Sequence, residues 1–225
     1  MRFSVNSFIT PQAAAKLLFT DEIDLCGSWS CEQATDVLNA LLAMPIEQIL
    51  NIIDETEDRL FDATTIPQFG KIDTLIKVPM QLSDTGTQLN YAQLGFLLKK
   101  DMNASLEANT KFGENHGKGA ALTGIVNCID KRITTSALSS GFCAISDLKT
   151  QELIVVKLYF RIPIVQEILK HAARGQYNGF DAMTLIMENT KKRRSQCLRQ
   201  IFKSMEIFQD DALNARLQNI VWNIE

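Results

Sequence analysis

A chain of 225 residues, 46% hydrophobic and 22% charged, has the composition of a soluble globular protein and can hold one large or two small domains. It contains no run of 18 apolar residues, and its start, MRFSVNSFITPQ, is not a signal peptide, so the expectation is a protein outside the membrane. Five scattered cysteines, an odd number, point to reduced thiols in the cytoplasm, and the net charge of −3 argues against a uniformly basic nucleic-acid binder.

The first predicted element is a helix over PQAAAKLLF, with Thr10 as its cap and Pro11 at its first position. After the turn CGSWS, Ser30 caps CEQATDVLNALLAM, where Ala34, Val37, Leu38 and Leu41 form one apolar stripe. Pro45 ends that helix and starts another, IEQILNIIDETEDRLF. Residues 1–63 read as a packed helical unit whose Leu and Ile form core, and whose apolar stripes could also serve a second chain. From Asp62 to Gly86 the punctuation by Pro67, Gly70, Pro79 and Gly86 suggests a linker or packing arm, with TLIKVPM as a short strand.

The stretch from Gln88 to Ser136 organises the rest. Tyr91, Leu94, Leu97 and Leu98 recur at helical spacing. KKDMNA is a turn, and Asn103 is placed to cap a short helix from Ser105 to Thr110. A third helix, Phe112 to Leu122, has polar residues early and apolar ones late. Two β-prone runs, Ile125–Ile129 and Arg132–Thr135, then flank an Asp130–Lys131 turn. Helix, helix, helix, hairpin is the order of a winged helix-turn-helix, assigned here to residues 64–146 and closed by SALSSGFCAIS. The groups suited to base edges and phosphates are Asn109, Thr110, Lys111, Asn115, His116 and Lys118 on the helix, with Lys131 and Arg132 on the wing. Asn115 and His116 are the base-edge candidates.

Residues 147–225 begin with two apolar segments split at Pro163. Ile154, Val155, Leu158 and Tyr159 fill the first, and Ile164, Val165, Ile168 and Leu169 the second; so many β-branched residues also allow a strand at the start. A loop between Gly175 and Gly179 precedes a short helix from Phe180 to Met187. Asn189 or Thr190 then caps KKRRSQCLRQIFKSMEIF, with Cys197, Leu198, Ile201, Phe202 and Met205 as its core face. A second helix-turn-helix fits here, with RLQNIVW as a partial wing. Its candidate DNA contacts are Thr190, Lys191, Lys192, Arg193, Arg194 and Gln196, with Lys191, Arg193 and Arg194 as phosphate clamps.

Charge is unevenly spread. Residues 1–73 hold 12 acidic side chains against 4 basic ones, whereas residues 74–225 hold 14 against 19. Between Lys191 and Lys203 there are six basic residues and no acidic one. The basic portion coincides with both helix-turn-helix patterns, as a phosphate-binding surface requires, and the acidic third is expected to point away from DNA.

Two stretches carry a family resemblance. ANTKFGENHGKGAALTGIV followed by RITTSALSSGF resembles the winged helix found alongside prokaryotic type II restriction enzymes and other phage-defence proteins, in which a KYGENH-K-A-LLGLV helix precedes a wing ending in LT-LG. Thr110 to Val126 matches closely, with Phe112 for the usual Tyr, while Thr134 to Leu138 departs from the family's wing end. ENTKKRRSQCLRQIFKSMEIF is similar to the T--RR--TV-SWL-WI helix of the same architectures. The matches span about a quarter of the chain, neither is catalytic, and the resemblance implies helices on both sides of Pro163.

No arrangement for catalysis emerges. The only histidines are His116 and His171, and Cys26 and Cys31 have no second pair at zinc-finger distance. His116-Gly117-Lys118 lacks the Asp that completes a phospholipase-D-type motif, since Thr123 stands there, and Asn115-His116 lacks the further histidines of an HNH nuclease. Glu152 and Lys157 are too far apart for a Mg²⁺ nuclease core, and no phosphate loop is present. The expectation is a mainly α protein with small β-hairpin wings, a helical N-terminal unit and tandem winged-helix-like units. It is expected to use no metal or cofactor and to bind double-stranded DNA without catalysis in a restriction-modification or phage-defence context, as a homodimer or beside a nuclease or methyltransferase subunit. Two alternatives stand beside it: the recognition part of a type II restriction endonuclease whose catalytic part lies elsewhere, and a protein–protein adaptor built on winged helices.

Overall fold

Helix punctuation in the first third follows the local chemistry of the sequence. In the computed structural model, which describes residues 9–69, 71–86, 88–99 and 103–223, Thr10 caps α1 (Pro11–Leu17) by accepting from the Ala13 amide at 3.2 Å. Ser30 and Gln33 cap α2 (Cys31–Ala43) reciprocally, and Pro45 opens α3 (Ile46–Asp54). The expected helix through Phe61 stops at Asp54. Glu55, Glu57 and Asp58 follow it, and carboxylates crowding a helix C-terminus oppose the helix dipole.

The expected linker and strand over residues 62–86 are corrected: most of this stretch is α4 (Ile72–Thr85), which runs through Pro79 and ends on Gly86 in the left-handed conformation. Leu75, Ile76, Val78, Pro79 and Leu82 are buried at helical spacing, and that burial outweighs the proline's missing donor. After β1 (Leu89–Asn90) and α5 (Tyr91–Lys99) comes a second correction. The short helix and the helix expected after it are one continuous α6 (Leu106–Thr123), capped by Ser105 rather than Asn103. No proline interrupts residues 106–123, and Gly113 is retained because two helix backbones meet there. A Cβ on Gly113 would lie 1.9 Å from the Tyr91 carbonyl, and one on Gly95 would lie 1.8 Å from that of Asn109.

The expected hairpin forms as β2 (Val126–Ile129) and β3 (Arg132–Thr135). Asp130 and Lys131 both take positive φ, the twist that suits a two-residue hairpin turn. β1 adds to it, giving a three-stranded antiparallel sheet in the order β1-β3-β2. Then follow α7 (Ser139–Ala144), α8 (Leu148–Tyr159) and α9 (Pro163–Ala172), so the β-branched run is helical and the break falls at Pro163 as expected.

Three details after Gly175 differ from expectation. Phe180–Met187 holds only a 3₁₀ turn, Asp181–Met183. α10 (Glu188–Met205) begins without a side-chain cap, leaving Asn189 and Thr190 inside its first turn. RLQNIVW is not a wing: α11 (Asp211–Asn219) ends within it, and β5 (Ile220–Val221) pairs in parallel with β4 (Tyr177–Asn178). The fold is thus mainly helical with a small antiparallel three-stranded sheet.

One hydrophobic cluster extends from Ala14 to Leu213 through all three sequence regions. α2 packs on α1, α7 and α8, and α3 packs on α9 and α11, so the N-terminal apolar stripes are covered by the chain itself. The charges interlock as well. Asp21 pairs with Arg161, Asp54 receives Arg216 through both nitrogens at 2.6 and 2.7 Å, and Asp58 meets Lys170 at 2.5 Å. Lys157 is buried, 4% exposed, and its Nζ donates to the Leu42 and Met44 carbonyls at the end of α2, both at 2.6 Å. Burial pushes its ammonium down to about 8.

Candidate nucleic-acid interface

α6 and α10 lie on two sides of a cleft floored by residues 63–69. The polar face of α6 supplies Lys111, Glu114, Asn115 and Lys118, one helical stripe, while α10 supplies Arg193, Arg194, Gln196 and Gln200. The cleft has two adjoining hollows of about 170 and 270 Å³, and Asn115 and Gln68 line both. Side chains about eighty positions apart in sequence are gathered here because residues 63–69 bridge the helices: Arg194 Nη1 donates to the Ile66 carbonyl at 2.6 Å, and Phe69 packs where a Cβ on Gly119 would stand.

Within the cleft the charges are ordered. Glu114 accepts from Lys111 Nζ at 2.8 Å and from Lys118 Nζ at 2.7 Å. These two hydrogen bonds hold its carboxyl at about 2, well below the usual range. Lys118 also lies 5.8 Å from the centre of the Tyr91 ring. Burial, then the neighbouring Arg193 charge, lowers the Arg194 guanidinium from its ordinary value. Arg193 and Gln196 are exposed, and the half-buried Asn115 amide makes no hydrogen bond among the described residues.

The other candidates are buried, paired or outside the cleft. His116 lines the larger hollow but is a correction to the expected base-edge role: it is 4% exposed, tilted against the Phe112 ring with centroids 4.2 Å apart, and its Nδ1 lies 2.9 Å from the Phe112 carbonyl. Burial lowers its pKa. Asn109 is likewise buried, facing α5, with Nδ2 donating to the Ala104 carbonyl at 3.4 Å. Thr110 Oγ1 donates back to Leu106. Lys191 is held by Glu188 at 2.9 Å and lines a separate polar hollow with Asn178 and Asp181. Thr190 and Lys192 do not line the cleft, and Lys131 and Arg132 are exposed at the hairpin turn.

Sequence reasoning missed Gln68 and Gln200. Gln200 was findable, since it stands four and seven residues after Gln196 and Arg193 on one helix face. Gln68 had no signal, because only tertiary packing carries residues 63–69 between the two helices.

Two other clusters merit chemical scrutiny. Asp58, Glu167 and His171 converge, the only group of metal-ligating type among the described residues. The Lys170 ammonium, 3% exposed, already lies 2.5 Å from Asp58 and 3.8 Å from Glu167, so a lysine provides the positive charge there. Cys26 and Cys143 line a serine-rich hollow of about 270 Å³ beside Trp29. Burial pushes the Cys143 thiol up to about 11, away from the thiolate a nucleophile needs. Comparison with protein-family models, curated proteins and solved structures finds no match.

Proposed function

We propose that this protein binds double-stranded DNA without catalysis, through the cleft between α6 and α10. The observation that carries the reading is the convergence of Asn115, whose amide is unbonded among the described residues, with Lys111, Lys118, Arg193, Arg194 and three glutamines on one concave surface. Amides suit adenine edges, and ammonium and guanidinium groups suit phosphates. The element order from α4 through β1, α5 and α6 to the β2–β3 hairpin supports a winged helix-turn-helix reading of residues 72–135, with Lys131 and Arg132 at the tip of the wing. The phage-defence setting, and a nuclease or methyltransferase partner, rest on the sequence resemblance alone.

Electrophoretic mobility shift over a salt series tests the reading. Retardation of duplex at low salt that weakens steeply with added salt is the expected result, and a flat response or no binding at low salt overturns it. Incubating the protein with plasmid and Mg²⁺ tests the non-catalytic part of this reading, which cleavage overturns.

A further inference from the structure

In the smaller hollow, one carboxylate bridges two ammonium groups. Lys111 and Lys118 stand three residues before and four residues after Glu114, so each reaches a different oxygen, at 2.8 and 2.7 Å. Arg194 lines the same hollow from α10, fixed to the Ile66 carbonyl, and its Nε is buried with no acceptor among the described residues. Among the described residues, three cations and a single carboxylate therefore line a cavity of about 170 Å³. A carboxylate and a phosphodiester both present two oxygens with shared negative charge, and ammonium donors bind either one.

Resting on the DNA-binding reading above, we propose that Glu114 is an internal stand-in for phosphate: it occupies the anion seat between α6 and α10 in the free protein, and a backbone phosphodiester of the bound duplex replaces it on Lys111 and Lys118. The exchange forms and breaks only ion pairs. It has two consequences. The lysines are already gathered when DNA arrives, so less side-chain freedom is lost on binding. The displaced carboxylate also stays near the phosphate and repels it, which lowers affinity for every sequence equally.

The test compares the full-length wild type with Glu114→Gln on a random-sequence duplex and on the best duplex selected from a random pool, across a salt series. Glu114→Gln is expected to bind both about threefold to tenfold more tightly, with a steeper salt dependence. Equal or weaker binding by this variant, beside a wild type that binds duplex, overturns the seat and leaves the DNA reading standing. If neither protein binds duplex at low salt, both fall. Binding by Glu114→Gln alone, with none by the wild type at low salt, overturns both, because the exchange requires the wild type to take up duplex. Should the variant fail to fold by circular dichroism, Lys111→Met and Lys118→Met decide the matter. Each is expected to weaken wild-type binding and reduce the salt slope by about one, and an unchanged affinity and slope in both overturns the seat.

Discussion

Asn115 stands where the two hollows of the cleft meet, half-buried and with its amide unbonded among the described residues. On a selected cognate site, Asn115→Ala is expected to cost about 1–3 kcal/mol, and little on random duplex, because a bidentate amide contact discriminates between bases. Fluorescence anisotropy on both duplexes checks this, and equal losses would make Asn115 a positioning group. His116, one residue further on, behaves in the opposite way. Its pKa in the folded chain lies below the ordinary value of about 6.5, so below that pH the unfolded chain binds a proton that the native chain refuses. The stability His116 contributes is present above pH ~6.5 and is lost as pH falls through the folded value, by at most about 1.4 kcal/mol per pH unit. Urea titrations between pH 7 and 5 should show that decline, and His116→Gln should reduce it.

At the scale of elements, the α5–α6 pair depends on two glycines. A methyl at either Gly95 or Gly113 would fall within 2 Å of a backbone carbonyl of the other helix, where no rotamer change can relieve it. Gly95→Ala is expected to destabilise by at least about 1–3 kcal/mol, the range for overpacking, and differential scanning calorimetry should show the lowered Tm. On α10, two adjacent arginines differ. Arg193 is exposed, whereas Arg194 also ties α10 to residues 63–69. Arg193→Ala should therefore weaken cognate and random duplex together while leaving Tm nearly unchanged. Arg194→Ala should lower both binding and Tm, and a Tm unaffected by that change would mean the Ile66 anchor contributes little.

For the whole molecule, the uneven charge in the sequence describes an internal clasp as much as an external field. Arg161, Lys170 and Arg216 from the basic portion are bound to Asp21, Asp58 and Asp54, and Lys157 to the end of α2. A fragment beginning near Thr64 would leave buried Lys157 without its carbonyls, Lys170 without Asp58, and α7, α8 and α9 without their cover. Such a fragment is expected to unfold, seen as loss of helical circular dichroism and rapid proteolysis. A folded, DNA-binding fragment would show that residues 64–225 form an independent unit. No single helix among the described residues is long and apolar enough to cross a membrane.

Local chemistry sufficed wherever a single residue type settles a backbone choice. Thr10 and Ser30 as caps, Pro45 and Pro163 as boundaries, the Asp130–Lys131 turn, and the core face of α10 from Cys197 to Met205 were all legible, because capping, ring closure and the helical repeat act within a few positions. Tertiary structure alone decided the rest. Pro79 lies inside a helix because burial of its neighbours outweighs one lost hydrogen bond, and His116 points inward because α6 presents that face to the core. Asn115 meets Arg193 only because residues 63–69 are wedged between two helices that the sequence keeps about eighty positions apart. Periodicity specifies which face of a helix is apolar, but the partner of its polar face depends on contacts between distant segments, and no local pattern encodes them.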